Sequence, residues 1–144
     1  MAEKQIPHNE KIAANFLKNK GGAGGLHEFL GFKIVDASPG VMCGQVEVRP
    51  ELLTPFGNMH GGVLSAFCDH MLGCVCYPAM KPGQWAATTE FKINLTAPVS
   101  KGTLDATAKI VNLGRTQAVV CIDVMNEWRL AAMAQGTVTI RDPR

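Results

Sequence analysis

The run GGVLSAFCDHMLGCVCY, residues 61–77, repeats its apolar side chains at helical spacing. Val63, Phe67, Met71 and Val75 form one row, and Leu64, Cys68 and Leu72 fill the neighbouring face. Pro78 and Pro82 stop the helix, because proline lacks the backbone N–H that a further turn needs. A helix this apolar all round is expected to be buried on most sides. It is too short to cross a membrane, and Asp69 and His70 interrupt it. The rest of the chain must therefore cover it.

Strand patterns on both sides supply that cover. Upstream, Phe32, Ile34 and Val35 lead to a turn at Ser38-Pro39-Gly40, after which Val46 and Val48 alternate with polar residues up to Pro50. Downstream, four alternating runs predict four strands. They carry Phe91, Ile93 and Leu95, then Leu104, Ala106, Ala108 and Ile110, then Ala118, Val120, Ile122 and Val124, and finally Ala134, Gly136, Val138 and Ile140. Short gaps between them favour antiparallel neighbours. The expectation is an α+β fold in which one antiparallel sheet of five or six strands wraps a single helix. The opposite sheet face carries small residues and suits a second sheet in an oligomer. Ahead of all this, Ile12, Phe16 and Leu17 predict a helix over residues 9–20 with Asn9 as its cap. The glycine-rich stretch 21–25 would link it to the rest. The chain is thus divided into residues 1–25, helix and link, and one domain over 26–144.

Composition narrows the function. Of 144 residues, 47% are hydrophobic and 18% charged, which excludes a disordered or fibrous chain. The net charge of +2 comes without a dense basic run, so a nucleic-acid footprint has no support. The first 20 residues lack a signal-peptide core, and the five cysteines are odd in number and sit mostly in apolar segments. Reduced thiols and a cytoplasmic protein are expected.

Two local features carry chemistry. Asp69 stands inside the apolar helix, where an unpaired carboxylate is costly to bury. Ser65 one turn before it and Gly73 one turn after it make a stripe of small residues. From the residues alone, Asp69 is either a working carboxylate or one locked to a neighbouring backbone group or cation. His60-Gly61-Gly62 opens the helix, leaving backbone N–H groups at its positive end, where a developing oxyanion is held. The plainer reading is a glycine-assisted turn. His60, Cys68, Asp69 and His70 cannot converge on one ion, so no metal is expected. No serine or cysteine stands in a nucleophile-elbow pattern.

The segment PFGNMHGGVLSAFCDHMLG, residues 55–73, closely resembles the signature of the PaaI-like (phenylacetate-degradation type) hotdog thioesterases, with His60 and Asp69 at the family's spacing. The likeness continues through TTEFKINLTAP (88–98), LGRT (113–116) and AQGTVTI (134–140). It implies the hotdog fold, a homodimer or homotetramer with the active site at the subunit interface, and hydrolysis of acyl- or aryl-coenzyme A thioesters. No cofactor is implied beyond the coenzyme A of the substrate. Within that resemblance, Asp69 matches the catalytic carboxylate, which activates water or attacks the thioester carbon itself. Gly61 matches the backbone N–H that polarises the carbonyl, and His60 the position that shapes the loop. Thr88 matches a Ser/Thr that in some members positions water from the opposite subunit. Thr54 stands where many members carry Asn, with Asn58 as a substitute. Leu95 and Ala97 stand where Tyr and Arg are common. Substrate contacts are assigned to Thr54, Asn58, Gly62 and Ser65, a pocket lining to Phe56, Phe67, Met71 and Leu72, and a phosphate contact to Arg115. Three alternatives share the fold: a non-catalytic acyl-CoA binding module, a dehydratase or hydratase, and a purely structural oligomer.

Overall fold

The computed structural model describes residues 5–19 and 24–143. In chain order the elements are α1 (Glu10–Asn19), α2 (Leu26–Leu30), β1 (Lys33–Ser38), β2 (Val41–Glu47), α3 (Gly61–Cys74), β3 (Trp85–Leu95), β4 (Thr103–Leu113), β5 (Gln117–Asn126) and β6 (Arg129–Arg141). Short 3-10 turns occupy Pro50–Leu52 and Tyr77–Ala79. Among the described residues the strands form one antiparallel six-stranded sheet, ordered β1-β2-β4-β5-β6-β3, with α3 against its inner face. This is the hotdog arrangement.

The alternation written into the strands decides which face meets α3. Leu104, Ala106, Ala108 and Ile110 on β4 are buried, as are Ala118, Val120, Ile122 and Val124 on β5 and Ala134, Val138 and Ile140 on β6. Small residues let the helix come close. A Cβ at Gly44 would lie 2.5 Å from Met71 Sδ, and one at Gly136 would lie 2.7 Å from Glu90 O and 3.1 Å from Leu72 Cδ1. On the outer face Cys43 and Cys121 are half-exposed, beside Thr107 and Gln135 respectively. The thiols of Cys68, Cys74 and Cys76 lie inside, each pushed up to about 12 chiefly by burial.

Two expectations need correction, and one element is unexpected. β3 does not neighbour β4: β4 takes β2 and β5 as partners, so β3 crosses to the far edge and pairs Trp85–Leu95 with Arg141–Ala132 of β6. α3 ends at Cys74 rather than Tyr77, because the bond from Cys76 N–H to Gly73 O tightens the chain toward the 3-10 turn at Tyr77–Ala79. α2 has no counterpart in the sequence reading. Its last turn closes on Gly31 at φ 82°, and the Arg49 guanidinium donates to the carbonyls of Leu30 (2.8 Å) and Phe29 (2.6 Å).

α1 forms as expected. Asn9 Oδ1 accepts from the N–H groups of Lys11 and Ile12 at 3.1 and 3.2 Å. The helix packs onto the body through buried Ala13, through Phe16 against Tyr77 with ring centroids 5.7 Å apart, and through Asn9 N–H donating to Pro78 O. Of the expected link, Gly21, Gly22 and Ala23 lie outside the described residues, and Gly24 and Gly25 enter α2 with φ of 75° and 85°. No described helix is long and apolar enough to cross a membrane.

Candidate active site

The loop before α3 is pinned at several points. Thr54 N–H donates to Asn58 O, Gly57 N–H to Thr54 O, and Phe56 N–H to the Thr54 hydroxyl. Gly57, at φ 82°, makes the reversal that a β-carbon would resist. Met59 N–H then donates to Val99 O and His60 N–H to Leu52 O, which fixes the chain as it enters the helix. Thr54 and Asn58 therefore build this loop with their hydroxyl and main-chain groups.

His60 is the N-cap of α3. Its backbone is extended, and its ring Nδ1 accepts the Gly62 N–H at 2.8 Å. An accepting Nδ1 carries no proton, so in the neutral ring the proton sits on Nε2. Gly62 N–H is thereby spent. Gly61 N–H donates to no group among the described residues, and it lies at the positive end of a 14-residue helix. Leu95 Cδ1 lies only 2.8 Å from where a Cβ at position 61 would be. The Ser65 hydroxyl is occupied, donating to Gly61 O at 2.8 Å.

Asp69 lies on the side of α3 that the sheet leaves open. Within one chain it is exposed, and none of the salt bridges among the described residues involves it. The expected burial of this helix on most sides is thus corrected: Gly62 and Asp69 are exposed, and Ser65 and Gly73 only half-buried. His70 faces elsewhere. Its ring stacks on His27, centroids 5.0 Å apart and 5° from parallel, with Cys74 Sγ 3.5 Å from Nε2. Burial first, then His27, lowers it from 6.5 to about 4, against an upward pull from Asp69. A neutral packing histidine results.

Phe67, Met71 and Leu72 do not line an open pocket in this chain. All three are fully buried, Phe67 against Phe32 (4.9 Å) and Met71 against Gly44. The cause is helical geometry, for Phe67 and Met71 flank Asp69 by two residues and each points about 200° away from it. Phe56, by contrast, is 90% exposed on the pinned loop. Thr88 is half-buried on β3, next to the bulge at Thr89, whose hydroxyl donates to Thr137 O at 3.1 Å. Arg115 is exposed in the β4–β5 hairpin. Gly61 touches Leu95, whereas Gln117 beside that hairpin aligns through Thr139 with Ala87. Eight strand residues separate Ala87 from Leu95, about 27 Å, so one chain does not bring Arg115 to Gly61.

The spacing along α3 matters equally. Gly61 and Asp69 are eight residues apart, about 12 Å along the axis. A single carbonyl, with reacting atoms about 3 Å from each group, does not meet both directly. The sequence reading missed the carbonyls of Leu52 and Val99 that hold the loop, and the seating of Leu95 on Gly61. No local pattern encodes either, since both arise where distant segments meet.

Comparison with known proteins identifies the family and the fold. The family model of the thioesterase superfamily matches residues 56–132, more than half of the chain and the whole of α3. The 1,4-dihydroxy-2-naphthoyl-CoA hydrolase of Listeria monocytogenes is 27% identical over 121 residues, covering 83% of this chain and 98% of that protein. Among solved structures, a thioesterase of Haemophilus influenzae superposes with a TM-score of 0.80 at 22% identity, over 99% of this chain and 96% of its own. A phenylacetic acid degradation-related protein of Ralstonia eutropha JMP134 reaches 0.81 at 20% identity, over 89% and 98%. These two likenesses establish the fold.

Proposed function

Because the chain belongs to the thioesterase superfamily and is an enzyme of that class, we propose that it hydrolyses acyl- or aryl-coenzyme A thioesters to the free acid and coenzyme A. The observation that carries this reading is the free Gly61 N–H at the start of α3, held in place by His60 and the pinned loop, with an unpaired Asp69 on the same open side of the helix. The thioester oxygen accepts from Gly61 N–H, and the helix terminus favours the charge that grows there as the carbonyl becomes tetrahedral. In one route Asp69 takes a proton from the attacking water, the C–S bond breaks, and that proton passes to the leaving sulfur. In the other, Asp69 attacks the carbon and coenzyme A leaves as its thiolate. Water then hydrolyses the mixed anhydride left on Asp69 to release the acid. No cofactor enters this scheme. The Listeria relative, which acts on an aryl-CoA thioester, supports the substrate class.

Two copies are needed for Gly61 and Asp69 to work on one carbonyl. β3 has a partner on one side only, and α3 runs antiparallel to it, starting at Leu95 and passing Phe91 by Leu72. A twofold-related copy docked along β3 lays a second α3 antiparallel to the first, bringing Gly61 of one protomer toward Asp69 of its partner. Thr88, on the same strand, and an Arg115 from another protomer then reach the shared cleft for water and coenzyme A phosphate. A tetramer is a further step, made through the outer sheet face. The five free thiols fit a reducing, cytoplasmic setting.

Free-thiol release from phenylacetyl-, hydroxybenzoyl-, short- and medium-chain acyl-CoA tests the proposal. Wild type is expected to release thiol from at least one, and Asp69→Asn to fall by at least about a hundredfold with its fold intact. Retained turnover in the variant would remove Asp69 from the mechanism. Binding without release from any thioester would make the site an acyl-CoA binding module.

A further inference from the structure

The place of Leu95 has a meaning for the reaction that α3 alone does not reveal. Leu95 is the last residue of the edge strand β3, pairs with Ala132 and is 54% exposed. Its backbone is not loose. Thr96 and Ala97 N–H both donate to Ala131 O, and the Thr96 hydroxyl donates to Leu130 O at 2.6 Å. That anchoring fixes the main chain at the end of β3 beside the first residue of α3, and Leu95 Cδ1 takes up the space a β-carbon at Gly61 would need.

We propose that Leu95 is a positioning residue for the thioester, forming the apolar wall of the seat in which the carbonyl meets Gly61 N–H. This rests on the thioesterase reading above. Cβ and N of one residue lie about 2.5 Å apart, so the leucine methyl is within about 5 Å of that N–H and in reach of a group bonded to a carbonyl held there. The wall limits how the carbonyl can tilt, and it keeps water from one side of the amide, where the hydrogen bond strengthens as charge develops. It also explains why position 61 is glycine. A side chain there has to push the Leu95 methyl aside before substrate arrives.

The experiment is a double-mutant cycle on the thioester that wild type cleaves best, with kcat and KM measured separately and Tm recorded for each variant. Leu95→Ala is expected to keep its Tm within a few degrees and to lose about tenfold in kcat/KM, while Leu95→Met stays within about twofold. Gly61→Ala is expected to lose much more in the wild-type background than in the Leu95→Ala background, because the collision is gone in the latter. Strictly additive losses, or an unchanged kcat/KM in Leu95→Ala, would overturn the assignment while an inactive Asp69→Asn left the parent reading standing. Wild type that cleaves no thioester would remove both readings together.

Discussion

His60 shows how one side chain decides which backbone donor stays free. By accepting the Gly62 N–H it ends the competition for helix-terminal donors and leaves Gly61 as the free one. Replacing it with Ala is expected to cost about 1 kcal/mol of stability in a urea titration, and His60→Asn, which can still accept, much less. His70 gives a different signature. Its folded value of about 4 lies below the ordinary 6.5, so on acidification the unfolded chain takes up the proton first. The stability held above about pH 6.5 should therefore fall as the pH drops toward 4 and then level off, by at most about 3 kcal/mol. His70→Gln should flatten that part of the curve, and an unchanged pH profile would contradict the buried neutral ring. What the spacing makes legible is placement: His60 caps α3 and Asp69 stands on its exposed side. Placement is misread at Phe67 and Met71, whose apolar character suggests a pocket although their angular distance from Asp69 turns them into the core.

α3 and the sheet beneath it are legible in sequence because each obeys one period over many residues. β4, β5 and β6 alternate over most of their length, and their buried faces follow the pattern. What the pattern does not contain is order across the sheet. β3 reads the same beside β4 or β6, and only the prior claim of β2 on β4 settles it. α2 escapes for another reason, since five residues are too few for a period to show, and much of its support comes from Arg49, far along the chain. The close approach of helix and sheet makes a graded prediction. A β-carbon at Gly136 meets the backbone oxygen of Glu90 and Cβ of Phe91, neither of which can yield, whereas one at Gly44 meets chiefly the flexible end of Met71. Gly136→Ala should cost about 3 kcal/mol and Gly44→Ala about 1, read as shifts of the urea midpoint at constant m.

At the scale of the whole molecule, the open edge of β3 and the uncovered side of α3 belong to one surface, and the shared-site proposal makes that surface an interface. Sedimentation at micromolar concentration should show at least a dimer. The sharper test mixes two inactive proteins, Asp69→Asn and Gly61→Val, and lets their subunits exchange. Half of the randomly formed pairs carry one intact site each, so activity should recover to about a quarter of wild type. A mixture that stays inactive despite proven exchange would place both groups in one chain. The thiols offer a reading of the other face. Cys43 and Cys121 are the accessible pair, and the three interior thiols hold their protons far above neutral pH. A thiol-reactive dye should accordingly label two positions in the folded protein and five after unfolding. The protein thus carries its own pair of chemical reporters on the outside of the sheet, and protection of both as concentration rises would signal sheets stacking back to back.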